Sequence, residues 1–138
     1  MLKRNRTKGF TLVELLFVIT ILGIIVGIAV PKFIGQRQRA RVIGDAKANA
    51  TIIRMNLEAR KAEMGVYGPP GTTTYKADGT LPEPDLIPSF RPKGNSKMDY
   101  KIEIDNDGLK YMIEVTDPAR SNAVLAKFDQ NGEVIESS

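Results

Sequence analysis

Glu14 is the only charged residue between Phe10 and Val30, a run of 21 residues of which 15 are large and apolar. A carboxylate inside a membrane helix costs up to about 2.5 to 3.5 kcal/mol at the bilayer centre and less near an end, and such residues are functional by default. Glu14 lies only four residues into the run, so one reading is an acid that snorkels back toward water. The other reading needs a cation. Cleavage between Gly9 and Phe10 would create an α-amino group at the start of the run and supply it.

The other candidates for chemistry are few. The chain has no His and no Cys, which excludes disulfides, imidazole or thiolate metal sites, Cys nucleophiles and Ser-His-Asp triads. Asp105, Asp107, Asp129, Asn131 and Glu133 offer oxygen ligands of the kind calcium takes, but the spacing lacks a full EF-hand loop. Asp and Asn next to Gly are also what hairpin turns require. The expectation is therefore no metal and no cofactor, with Asp105, Asp107, Asp129 and Asn131 as the weak calcium candidates. Lys32, Arg37, Arg39 and Arg41 form a basic cluster suited to phospholipid headgroups or to acids on a neighbouring chain. No aromatic platform interleaves these arginines, so nucleic acid is not expected as a direct ligand.

The elements that would position these residues follow from periodicity and charge. As a helix, the run from Phe10 to Val30 spans roughly 30 Å, the thickness of a bilayer core. Lys3, Arg4, Arg6 and Lys8 precede it without an intervening acid, and the positive-inside rule places that end in the cytoplasm. The formal charge of +4 resides in this segment, because the other 16 basic residues balance 16 acids. A basic surface on the rest of the chain is not implied. The run exceeds the usual 7 to 15 residues of a secretory signal, and no small-x-small cleavage site follows it before Pro31.

The stretch KGFTLVELLFVITILGIIVGIAVPKF, Lys8 to Phe33, resembles the class III leader and N-terminal helix of type IV pilins and type II secretion pseudopilins. The resemblance rests on a short basic leader, Gly9 followed by Phe10, Thr11, Glu14, the apolar run and Pro31. It implies cleavage after Gly9 by a prepilin peptidase and N-methylation of Phe10. It also implies that Glu14 pairs with the N-terminus of a neighbouring subunit as a filament grows. Such a buried pair fixes register better than it adds stability, since desolvation offsets most of the attraction. Fifteen large apolar side chains hold the helix in lipid by roughly 20 to 45 kcal/mol, so it does not leave unaided. The resemblance implies an inner-membrane assembly platform and a cytoplasmic ATPase that drive the transfer.

Gly23 and Gly27 form a small-xxx-small pair that lets helices approach closely. Pro31 cannot donate to the carbonyl of Gly27, which predicts a kink or loosening there. Beyond Pro31 the helical pattern continues with a narrow apolar stripe, Ile43, Ala46, Ala50, Ile53, Leu57 and Met64, up to a stop at Gly65.

Residues 66–97 hold six of the eight prolines, with glycines at 68, 71, 79 and 94, and read as a structured loop pinned by Leu81, Leu86, Ile87 and Phe90. Met98, Tyr100, Ile102 and Ile104 alternate, as do Leu109, Tyr111, Ile113 and Val115 across the turn Asp105 to Gly108. A third run, Ala123 to Phe128, leads through Asp129 to Gly132 into a short Glu133 to Glu136.

The expected organisation is thus a leader (1–9), a membrane and polymerisation helix (10–30), its amphipathic continuation (31–65), a Pro/Gly-rich loop (66–97) and a sheet head (98–138). The fold class is α+β and pilin-like, a long helical spine packed on a small antiparallel sheet of three to four strands. The expected role is a structural shaft subunit rather than an enzyme, with protein secretion by a pseudopilus preferred to an extended pilus. It would start as a single-pass precursor in a bacterial inner membrane and end in a periplasmic or extracellular filament. The alternative is a membrane-anchored extracytoplasmic binding module that does not polymerise.

Overall fold

The structure is a computed structural model, and it describes residues 9–92 and 97–134. Lys3, Arg4, Arg6 and Lys8 of the expected leader, Gly94, and Ile135 and Glu136 of the last expected run lie outside the described residues. A single helix, α1, runs from Leu12 to Met64. The chain divides into two compact units, residues 1–39 and 40–138, which are described in turn.

In the first unit every described residue is exposed, from Phe10 through the apolar run to Phe33 and Ile34. This part of α1 is long and apolar enough to cross a membrane. An apolar surface on all sides is what lipid or other apolar helices cover. The helical assignment continues through Pro31 without a break, so the expected loosening does not interrupt the helix in the single chain. Proline is tolerated in such helices when the freed backbone groups are satisfied nearby.

The second unit packs the remainder of α1 on a five-stranded antiparallel sheet ordered β1 to β5 in sequence. The strands are β1 Gly71–Tyr75, β2 Asp99–Ile104, β3 Tyr111–Asp117, β4 Ala123–Asp129 and β5 Gly132–Glu133. Register follows the pleat. Tyr100 faces Val115 and Ile102 faces Ile113 on one pair, and Ile113 faces Phe128 on the next. These side chains share one face of the sheet and join Ala46, Ala50, Ile53 and Leu57 of α1 in a single core cluster. The two alanines let the helix axis come close to the sheet. Gly65, at φ 81°, ends α1 with its N–H on the carbonyl of Lys61 at 2.8 Å. That left-handed cap suits a residue without a Cβ.

Five details of the second unit differ from the sequence expectation. The sheet has five strands rather than three to four, and β1 lies inside the stretch expected to be loop. Three consecutive threonines and Tyr75 favour an extended backbone, and Pro69 and Pro70 stand just before the strand, where no ladder donor is needed. Met64 is 67% exposed rather than part of the buried stripe, because the helix has reached its last turn. Leu81 is 44% exposed, whereas Leu86, Ile87 and Phe90 are buried as expected. Leu109 is 49% exposed, since the turn extends through Lys110 and β3 starts only at Tyr111.

Candidate functional site

Gly9, Phe10 and Thr11 are exposed and precede the first helical residue. The Gly9–Phe10 peptide bond thus lies in irregular, accessible chain, as proteolytic cleavage requires. Immediately after it stands a reciprocal pair. Thr11 Oγ1 accepts the N–H of Glu14 at 3.2 Å, and Glu14 Oε2 accepts the N–H of Thr11 at 3.0 Å. This is a capping box, which satisfies two backbone donors that a helix start otherwise leaves open. The pattern Thr-x-x-Glu is legible in the sequence, and the reading of Glu14 as an acid in search of a cation passed over it. In the single chain the carboxylate of Glu14 is therefore held at the helix start by its own backbone, exposed and facing no basic side chain among the described residues. It also lies near the positive end of the helix dipole, which favours an anion.

The other residues of the first unit are placed as follows. Gly23 and Gly27 lie one turn apart, and a methyl group at either would meet nothing within 4 Å. Lys32, Arg37 and Arg39 are exposed, as is Arg41 at the start of the second unit. The Arg37 guanidinium lies 5.4 Å from the centre of the Phe33 ring, a cation–π distance.

The carboxylates of the head serve its turns. Asp105 Oδ1 accepts the N–H groups of Leu109 and Lys110 at 2.9 and 3.1 Å. Asp129 Oδ1 accepts those of Asn131 and Gly132 at 2.7 and 3.0 Å. Glu133 pairs with Lys47 of α1 at 2.7 Å. Asp105 and Asp129 do line one open groove, but Lys110 lines it with them. Asp107 and Asn131 are not among its described lining residues. Among the described residues no group of three or more His, Cys, Asp or Glu side chains converges as a metal would need. Asp105 and Asp129 each thus hold a turn through one carboxylate oxygen.

One feature of the head had no counterpart in the sequence reading. All four tyrosines are buried, and each hydroxyl has a polar partner. Tyr100 Oη accepts from Asn49 Nδ2 at 2.8 Å. Tyr67 and Tyr111 both donate to Glu58 Oε1, at 3.1 and 3.4 Å, and Tyr111 also accepts from Arg54 Nε at 3.2 Å. Tyr75 donates to Asp85 Oδ1 at 2.6 Å and accepts the N–H of Ile87 at 2.7 Å. Burial is the leading cause that pushes all four phenols above their ordinary value, and the carboxylates of Glu58 and Asp85 add to it for Tyr67 and Tyr75. Three of the four therefore tie α1 to the head through polar groups. The signal available beforehand was the i, i+4 spacing of Arg54 and Glu58 beside an apolar stripe.

Comparisons with known proteins bear on the family of the chain. The family profile described as a prokaryotic N-terminal methylation motif matches residues 4–30. The type IV major fimbrial protein FimA of Dichelobacter nodosus is 29% identical over 93% of this chain and 74% of its own length. The type II secretion system core protein G of Aeromonas hydrophila is 31% identical over 70% of this chain and 66% of its own. The type IV narrow pilus major component of Thermus thermophilus is 47% identical over a shorter stretch, 36% of this chain and 41% of its own. No solved structure matches the chain significantly. An apolar helix that opens with this motif, joined in sequence to a helix-on-sheet head and related over most of its length to a fimbrial protein, identifies the chain as a member of the type IV pilin and type II secretion pseudopilin family.

Proposed function

We propose that the chain is a structural filament subunit, cleaved between Gly9 and Phe10, methylated on Phe10 and polymerised through the helix that begins at Leu12. The observation that carries this reading is Glu14, the one charge in a fully exposed apolar run, poised one turn from the bond to be cut. Once the bond is cut, the α-amino group of Phe10 on a neighbouring copy is a cation of the right kind to meet it. The fully exposed apolar surface of the run has two apolar environments to choose from, lipid before assembly and other copies of itself afterwards. Gly23 and Gly27 let neighbouring helices approach, and Pro31 with Gly27 is the place where α1 loosens in the filament.

A prepilin peptidase performs the cleavage, and a membrane platform with an ATPase supplies the work of lifting the helix out of lipid. The precursor sits in an inner membrane with its basic end in the cytoplasm. The role is structural, as the family's is, and no residue is assigned to catalysis. Within the family we favour the shaft subunit of a pseudopilus that serves protein export. Core protein G, 31% identical over 70% of this chain, supports this role, and FimA, 29% identical over 93%, supports the alternative of an extended pilus.

N-terminal sequencing and intact mass of the protein recovered from its cells test the reading. A start at Phe10 with one added methyl is expected, and a chain that still begins at Met1 overturns it. The narrower role is tested by deletion: lost export with intact surface pili supports it, and lost pili with intact export contradicts it.

A further inference from the structure

A cavity of about 210 Å3 lies in the second unit, between the turn that follows β1 and the chain entering β2. Lys76, Arg91 and Lys97 line it, and among its described lining residues there is no carboxylate. None of the three cations stands in an ion pair among the described residues. The acids nearest in sequence are hydrogen-bonded to the backbone, and Asp78 also feels the charge of Lys76. Asp78 Oδ1 accepts the N–H of Thr80 at 2.8 Å, and Asp99 Oδ1 accepts that of Ala77 at 2.7 Å. The second bond ties the turn to the first residue of β2, so the backbone beneath Lys76 is fixed. Arg91 Nη1 donates to the carbonyls of Pro88 and Phe90 at 3.2 and 2.6 Å. That holds the guanidinium in place and leaves further N–H groups to spare.

Ala77, Leu81 and Pro92 supply apolar lining, and Thr80 adds a hydroxyl. Tyr75 and Met98 are each 2% exposed, and the half-open Leu81 stands beside them. The volume is below the roughly 300 to 1,000 Å3 of pockets for drug-sized ligands. It therefore suits a fragment with one apolar ring or chain. A planar guanidinium that shares the lining with two lysines suits a carboxylate, which it can engage with two parallel hydrogen bonds.

We propose that this cavity binds a small organic anion, an apolar body bearing one carboxylate, with the body over Leu81 and Pro92 and the carboxylate on Arg91, Lys76 and Lys97. The cavity lies wholly within residues 40–138, so the proposal is independent of whether the chain polymerises. It is tested by titrating benzoate into the full chain in nonionic micelles and following backbone and methyl NMR signals, with acetate and benzyl alcohol as probes of charge alone and body alone.

Saturable shifts are expected at Ala77, Arg91, Lys97 and Met98, with acetate and benzyl alcohol at least about tenfold weaker. Arg91→Gln is expected to weaken benzoate about tenfold, the loss of one charge-assisted contact, while the signals of Ile113 and Val115 stay in place. Because Arg91 also holds two carbonyls, Lys97→Gln, at an exposed side chain, gives a second variant that should weaken benzoate about threefold or more. Shifts that do not saturate, an equal response to acetate, or unchanged affinity in the Lys97 variant would overturn the proposal.

Discussion

Asn49, on the buried face of α1, donates its side-chain amide to the hydroxyl of Tyr100 across 2.8 Å, and both residues are essentially inaccessible to solvent. A buried polar pair of this kind contributes modestly when made and costs more when half of it is removed. Asn49→Ala is therefore expected to destabilise the head by about 1 to 3 kcal/mol. The check is denaturant unfolding of the full chain in nonionic micelles, followed by the near-ultraviolet signal of the tyrosines.

Gly108 closes the turn between β2 and β3 at φ 68°, and its carbonyl accepts the N–H of Tyr67 at 2.8 Å. A Cβ there would sit 2.9 Å from the backbone oxygen of Gly68 and 3.1 Å from Cβ of Val66. Neither atom is the end of a flexible side chain. Gly108→Ala adds a left-handed backbone penalty of about 1 to 2 kcal/mol to that clash. It should therefore lower stability by at least about 2 kcal/mol in the same assay.

The four buried tyrosines set an alkaline limit. Each is held protonated in the folded head above its ordinary value of 10.0. The unfolded chain therefore releases protons first as pH rises, and the folded state binds more protons in that window. Stability then falls with pH. The contribution is fully present below pH 10 and is lost above it as the folded phenols ionise in turn. Absorbance of tyrosinate should appear together with loss of the native near-ultraviolet signal, above pH 10. Ionisation of all four at pH 10 with the fold intact would contradict the burial described here.

Much of this was legible in the sequence because hydrophobic period and charge are read directly. The spacing of Ala46, Ala50, Ile53 and Leu57 marked the face that packs on the sheet, and alternation about Tyr100 and Ile113 marked its central strands. The edge strand β1 was hidden by the prolines and glycines around it. Those residues flank Gly71–Tyr75 without interrupting Thr72, Thr73 and Thr74. The tyrosine contacts were hidden for a different reason. Asn49 and Glu58 carry no local signal of a partner, and only the helix-on-sheet packing brings them to Tyr100, Tyr67 and Tyr111. At the candidate site the apolar run makes Glu14 conspicuous, whereas its partner Thr11 shows only through the Thr-x-x-Glu spacing at the helix start.

The Thr11–Glu14 box also makes the central claim testable, because cap and charge can be separated. Glutamine serves in a capping box as glutamate does, so Glu14→Gln keeps the helix start and removes the charge. Glu14→Ala removes the charge together with the Glu14 half of the reciprocal cap. The decisive measurement is electron microscopy of filaments from cells producing the wild type, Glu14→Gln or Glu14→Ala at equal membrane levels. If Glu14 works by pairing with a neighbouring N-terminus, the wild type forms filaments and both variants lose them. Filaments of Glu14→Gln as abundant as those of the wild type would contradict that pairing and leave Glu14 as a helix cap alone.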